Sequence, residues 1–149
     1  MAILLEARKV NQYIAFLTLC LMGTWACSSP STPLQLLQRK WKVMRVEIKL
    51  NPQSETQAFD LDTPEKIKQR EETVQKGLEF MDFKANGILE VKNGQRKWEW
   101  DGKQPQLIIK GIEGKADSKV KIEKIEATEL VLLDDSSPAL SIKLSLKPA

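Results

Sequence analysis

The sequence predicts an all-β protein: eight antiparallel strands closed into an up-and-down barrel, with one helix between strands 1 and 2. Three observations carry that prediction. Asn86-Gly87, Asn93-Gly94 and Asp101-Gly102 punctuate the second half of the chain, and Asn-Gly and Asp-Gly are the strongest short-range hairpin signals. The final segment alternates Leu140, Ile142, Leu144 and Leu146 with Ser141, Lys143, Ser145 and Lys147, the period of a strand with one buried and one wet face. Related amphipathic segments follow one another without interruption after Leu78, and closing such a sheet removes its exposed edges.

The chain begins with what reads as delivery apparatus. Arg8 and Lys9 precede an apolar run from Tyr13 to Gly23, which is short for a bilayer span and has the form of a signal-peptide core. Thr24-Trp25-Ala26-Cys27 follows, then Ser28-Ser29-Pro30-Ser31-Thr32-Pro33. A small residue before a cysteine at this place resembles a bacterial lipobox, although Thr24 stands where an aliphatic residue is usual. Cys20 is the rival, but Leu19 before it is large. The resemblance implies cleavage after Ala26, acylation of Cys27 and a polar tether over residues 27–33. The alternative is an ordinary secretory signal that leaves Cys27 as a free thiol. Acyl chains contribute about 0.8 kcal/mol per buried methylene, so two or three make a firm anchor.

Loss of residues 1–26 removes Glu6, Arg8 and Lys9, and the net charge falls from +3 to +2. Cys27 is then the sole cysteine, so no internal disulfide can form. Residues 34–149 must fold by packing alone, and that length is enough for one core.

Taken in order, Thr32 and Pro33 start a single helical turn before Arg39. Trp41 to Leu50 is strand 1. Met44, Val46, Ile48 and Leu50 share one phase there, while Trp41 and Val43 share the other. Either a bulge falls near Val43-Met44 or Trp41 packs beyond the barrel wall. Thr63-Pro64-Glu65 opens a helix and Gly77 suits its C-terminal cap. Its apolar stripe of Ile67, Val74 and Leu78 is thin, so it belongs over an end or flank of the domain. The remaining face mixes Glu65, Glu71 and Glu72 with Lys66, Lys68 and Arg70, which reads as a solvated surface and not a basic patch. Strands follow at Leu78–Lys84, Ile88–Lys92, Gln95–Trp100, Gln106–Gly111, Lys119–Glu126, Glu129–Leu133 and Ala139–Lys147.

Trp41, the Phe83-Lys84-Ala85-Asn86-Gly87 turn, Trp98, Leu107-Ile108-Ile109 and Thr128-Glu129-Leu130-Val131-Leu132 together resemble the lipocalin-like lipoproteins of Bacteroidota-type bacteria, within the lipocalin and fatty-acid-binding superfamily. The resemblance covers Leu34 to Pro148 and implies a compact, lipid-anchored barrel. Two family features are placed differently here. The glycine two residues before the tryptophan is Arg39, and the last strand offers only Lys143 and Lys147 where an arginine packs on that tryptophan.

Arg96, Trp98 and Trp100 share one strand face. If that face lines a cavity, two indoles and a guanidinium suit an amphiphile with an anionic head. The default reading is that the indoles fill the barrel and Arg96 snorkels at its rim. Phe80 and Phe83 fall on opposite phases, so one of them is interior; Phe80 joins the candidate ligand-binding set. Trp41 reads as a plug at one barrel end. Asp134-Asp135 lacks the spaced oxygens of a calcium loop and reads as a solvated turn.

The chain has no histidine, no Gly-rich phosphate loop and no Gly-x-Ser-x-Gly elbow, so we expect no enzyme, cofactor or metal site. Its weak net charge gives no nucleic-acid footprint. Two functions remain: an envelope lipoprotein binding a small hydrophobic ligand, or a filled barrel that partners another envelope protein. Ser28 after the cysteine, and a tether without acids, point to an outer-membrane anchor facing the periplasm.

Overall fold

A computed structural model describes residues 32–51, 63–112 and 114–149. The expected leader (1–26), Cys27 and most of the tether lie outside the described residues.

Thr32 caps a single helical turn, α1 (Pro33–Leu37), in a full capping box with Gln35. The chain turns at once into β1 (Lys40–Leu50). Helix α2 (Pro64–Leu78) comes next, capped by Thr63 with Pro64 in its first turn. A meander completes the order: β2 (Phe80–Phe83), β3 (Ile88–Val91), β4 (Gly94–Asp101), β5 (Gln106–Ile109), β6 (Ser118–Ile125), β7 (Leu130–Asp134) and β8 (Leu140–Pro148). Neighbouring strands pair antiparallel, and β8 pairs with β1 to close the barrel. This is the predicted fold class, and the barrel is compatible with a lipocalin-like fold.

The phase conflict in β1 is settled by a bulge. The β1–β8 register shifts between Val43 and Arg45, so Trp41, Val43, Val46 and Ile48 all point inward. Met44, which shares the phase of Val46 and Ile48 in the sequence, is 46% exposed because it is the extra residue of the bulge. Leu50, on the same expected phase, is exposed where the strand leaves the sheet.

β1 pairs with β8 from Trp41↔Pro148 to Leu50↔Leu140, but with β2 only over Lys40–Lys42. Helix α2 occupies the rest of that edge. Glu71 Oε1 accepts the Ile48 N–H (2.8 Å), and Gln75, one turn on, donates its Nε2–H to the Met44 carbonyl (2.9 Å). These side chains stand in for strand partners, which is how buried or half-buried backbone groups avoid being left unmade. No residue of α2 is fully buried; Ile67, Val74 and Leu78 pack on the core from outside, as the thin stripe predicts. The helix end differs from expectation. Gly77 lies within the helix, and the cap is Glu79, held at φ 43°. Its N–H donates to Gln75 O and its carbonyl accepts the Val43 N–H, both at 2.9 Å, so the join to β1 sets the conformation.

The hairpins fall where the turn pairs predict. Gly87 (φ 77°) and Gly94 (φ 145°) supply the backbone other residues avoid. Asp101-Gly102 opens a longer loop, closed by Asp101 accepting the Lys103 N–H (3.0 Å) and the Gln104 N–H (3.2 Å).

Candidate functional site

The two ends of the barrel are filled differently. At one end lie the starts of β1, β5 and β7 and the last turns of β8. There Leu37, Trp41, Leu107, Leu130 and Leu146 are completely buried. The Trp41 Nε1–H donates to the Leu37 carbonyl at 3.1 Å. The Arg39 guanidinium lies 5.1 Å above the Trp41 ring, and its N–H groups donate to Leu36 O and Ala127 O, each at 3.0 Å. Trp41 is fully buried at this end of the barrel, with its indole N–H satisfied. Arg39 was not foreseen in this role: the cation the family resemblance expects from the last strand comes from two residues before the tryptophan.

At the other end, below α2, the barrel is hollow. A cavity of about 320 Å³ lies among Met81, Ile109, Val120, Leu132, Ile142 and Leu144 of the wall and Val74 and Leu78 of the helix. A second space of about 420 Å³ adjoins it toward β3 and β4, sharing Met81, Arg96 and Ile109 and adding Leu89 and Val91. The two are within the range of small-molecule sites. The loop after β5 forms one lip. Gly111 is required there, since a Cβ would meet the Lys115 carbonyl oxygen at 2.0 Å. Asp117 fastens the loop by accepting the Gly111 N–H (3.1 Å) and the Lys110 Nζ–H (3.1 Å). These donors hold the Asp117 carboxyl below its ordinary range, the Gly111 amide first. Lys110 is raised by Asp117 and then by Glu99, 3.3 Å away.

The four candidate ligand residues are separated by the fold. Arg96 borders both hollow spaces and has no ion pair among the described residues. Trp98 is one step deeper on the same face, 4% exposed, with its ring edge-on to Phe83 at 5.4 Å. Trp100 is half-buried beyond it, opposite Leu107 and toward the filled end. Phe80 is a correction. β2 turns Met81 and Phe83 inward, so Phe80 is on the outer face, with Lys40 Nζ 4.0 Å from its ring centroid. The sequence shows that only one of the two phenylalanines is interior; the strand start at Phe80 decides that it is Phe83.

One detail is visible only in the structure. Among the described residues, the Trp98 Nε1–H is buried without a hydrogen-bond partner. Among the described residues no charged or polar side chain is fully buried. At the turn after β7, Asp134 accepts from the Ser136 N–H (3.0 Å) and hydroxyl, and Asp135 pairs with Lys121. Among the described residues no group of histidines, cysteines or acids is arranged to hold a metal, and no helix is long and apolar enough to cross a membrane. No family model, no curated protein and no solved structure matches the chain.

Proposed function

We propose that this chain is a bacterial envelope lipoprotein of the lipocalin-like kind, anchored through acylated Cys27, whose barrel takes up a small hydrophobic or amphiphilic molecule. The observation that carries the binding half is the apolar hollow under α2, open at a rim where Arg96 has no ion pair among the described residues. Burying an apolar body of that size supplies the driving force, at about 25 cal/mol per Å². An anionic or strongly polar head, where the ligand has one, stays at the rim beside Arg96 and in water. The anchoring half rests on the run from Tyr13 to Cys27 and the polar tether. On this reading the protein sits on the outer membrane, facing the periplasm, and performs no chemistry on what it carries.

Native mass spectrometry of the gently purified, delipidated domain tests the binding half. A lipid-sized adduct is expected, and a clean apo mass favours the second reading, a barrel that serves as an interaction module. Labelling cells with radioactive palmitate tests the anchor: label is expected in the natural chain and not in Cys27→Ala, and equal incorporation in both would sink it.

A further inference from the structure

The mouth of the hollow carries two opposite charges that the protein does not join. Along β7 the side chains alternate, so Asp134 shares the inward phase of Leu130 and Leu132. Its register partners are Val120 and Ile142, both of which border the cavity. Asp134 is half-buried there, at the border of the same space as Arg96. β5 and β6 separate β4 from β7, so the guanidinium and the carboxylate come from different walls. Neither has an ion pair among the described residues. The Ser136 N–H and hydroxyl both donate to Asp134 Oδ1, and Oδ2 accepts from no described residue. The nearby charges are engaged elsewhere: Asp135 with Lys121, and Lys110 with Asp117 and Glu99. Lys115, exposed on the lip, adds a second cation to the mouth.

We propose that the ligand of this barrel is a single-chain amphiphile with a zwitterionic head, its anionic group set against Arg96 and its ammonium group against Asp134. The inference rests on the reading that the hollow end binds a small hydrophobic molecule, and it adds what head that molecule carries. A carboxylate half-buried beside Val120 and Ile142 loses water on binding of an apolar chain, which is costly unless a cation meets it. The protein supplies none, so the ligand does. A purely anionic head suits Arg96 but meets a like charge at Asp134. A purely cationic head suits Asp134 but meets Arg96 and Lys115. A head with both charges offers each wall its complement. The two adjoining spaces, about 320 and 420 Å³, take the alkyl chain.

Four probes of one chain length, each below its micelle concentration, separate the outcomes on the full chain: dodecyl betaine, dodecylphosphocholine, dodecanoate and dodecyltrimethylammonium. The two zwitterions are expected to bind roughly 2- to 5-fold more tightly than either singly charged probe, the worth of one exposed ion pair. That ranking is read in the natural chain and needs no variant to fold. Asp134→Asn keeps the Oδ1 acceptor for Ser136 and removes the charge, and is expected to erase the zwitterions' advantage over dodecanoate. Arg96→Gln is expected to erase their advantage over dodecyltrimethylammonium. Between the zwitterions, tighter betaine assigns a carboxylate head and tighter dodecylphosphocholine a phosphate head. A singly charged probe that binds as tightly as the zwitterions, or a zwitterion preference that survives either variant, would overturn the proposal while leaving the binding site standing. Failure of all four probes to bind would overturn the site reading and this inference together.

Discussion

The filled and hollow ends of one barrel are built from the same kinds of residue. β8 supplies both: Leu146 is completely buried at the plugged end, and Ile142, two inward steps away, only half-buried beside the cavity. Leucine and isoleucine content therefore does not decide which end is solid. The difference comes from what caps each end. α1 places Leu37 and its carbonyl directly over Trp41, so one aromatic ring fills the cross-section and its N–H is satisfied. α2 lies across the other end with no residue fully buried, spanning the mouth with Val74 and Leu78 but not filling it. A plug that descends into a barrel makes a core, whereas a helix laid over the mouth leaves a space.

The largest effect that can test this contrast is on β8 itself. Leu146→Ala is expected to destabilise by about 2–5 kcal/mol, because a close-packed site cannot collapse around the loss. Ile142→Ala is expected to cost about 1 kcal/mol, since part of that side chain already faces open space. Urea unfolding of the two variants gives the comparison directly. Equal losses would mean that the two ends are packed alike.

The two arginines give a second, smaller contrast. Arg39→Met keeps an apolar stem but removes the group over Trp41 and its bonds to Leu36 O and Ala127 O. A cost of about 1–3 kcal/mol is expected. Arg96→Met, at the exposed rim, is expected to change stability by less than about 0.5 kcal/mol. Thermal unfolding separates them, and a destabilised Arg96→Met would assign Arg96 a structural role.

These contrasts also mark what was readable in the sequence. Strand order, hairpins and helix starts are local, written in two-residue alternation and in the residues of turns and caps. Thr32-Pro33 and Thr63-Pro64 begin helices in the structure where the sequence places them. The bulge was legible too, as two apolar phases in one strand. Which phase goes inside was not, because that depends on where the bulge falls, and the β1–β8 pairing puts it at Met44. Arg39 was read as a missing glycine because its use depends on a carbonyl in the β6–β7 turn, 88 residues away. The hollow was illegible because it is a volume left between elements, which no single segment encodes. The Trp98 N–H belongs to the same class: lack of a partner is a property of the whole surrounding shell.

The join between α2 and the barrel offers a gain and not a loss. Glu79 has φ 43°, a conformation that costs a side-chain-bearing residue about 1 kcal/mol or more and a glycine little. Lys92 pairs with its carboxylate at 2.6 Å, but on an exposed surface, where such pairs contribute little. Glu79→Gly is therefore expected to stabilise by about 1 kcal/mol, read as a raised Tm. A lowered Tm would show that the ion pair, or the side chain's restraint of the unfolded chain, outweighs the backbone strain.

The smallest expected effect lies at the mouth alone. Asp117 has its folded pKa depressed, first by the Gly111 N–H and then by Lys110. A depressed acid stabilises above its unfolded pKa, here the ordinary 3.8, and that contribution is lost as the pH falls through the lower folded value. Acid below about pH 4 should therefore release the lip that Lys110, Gly111, Ile112, Lys115 and Ala116 form. The Trp41 plug should not feel it, because its clamp, the Leu37 carbonyl and the Arg39 guanidinium held by Leu36 O and Ala127 O, involves no carboxylate. Amide resonances followed from pH 6 to pH 2 are expected to show Gly111 moving with the Asp117 carboxyl, with the Trp41 indole N–H unmoved until the whole barrel unfolds. Asp117→Asn should remove the Gly111 transition. If the Trp41 and Gly111 signals instead change together, at one midpoint and well before unfolding, the two ends are coupled, and the hollow end is not an independently adjustable mouth on a rigid base.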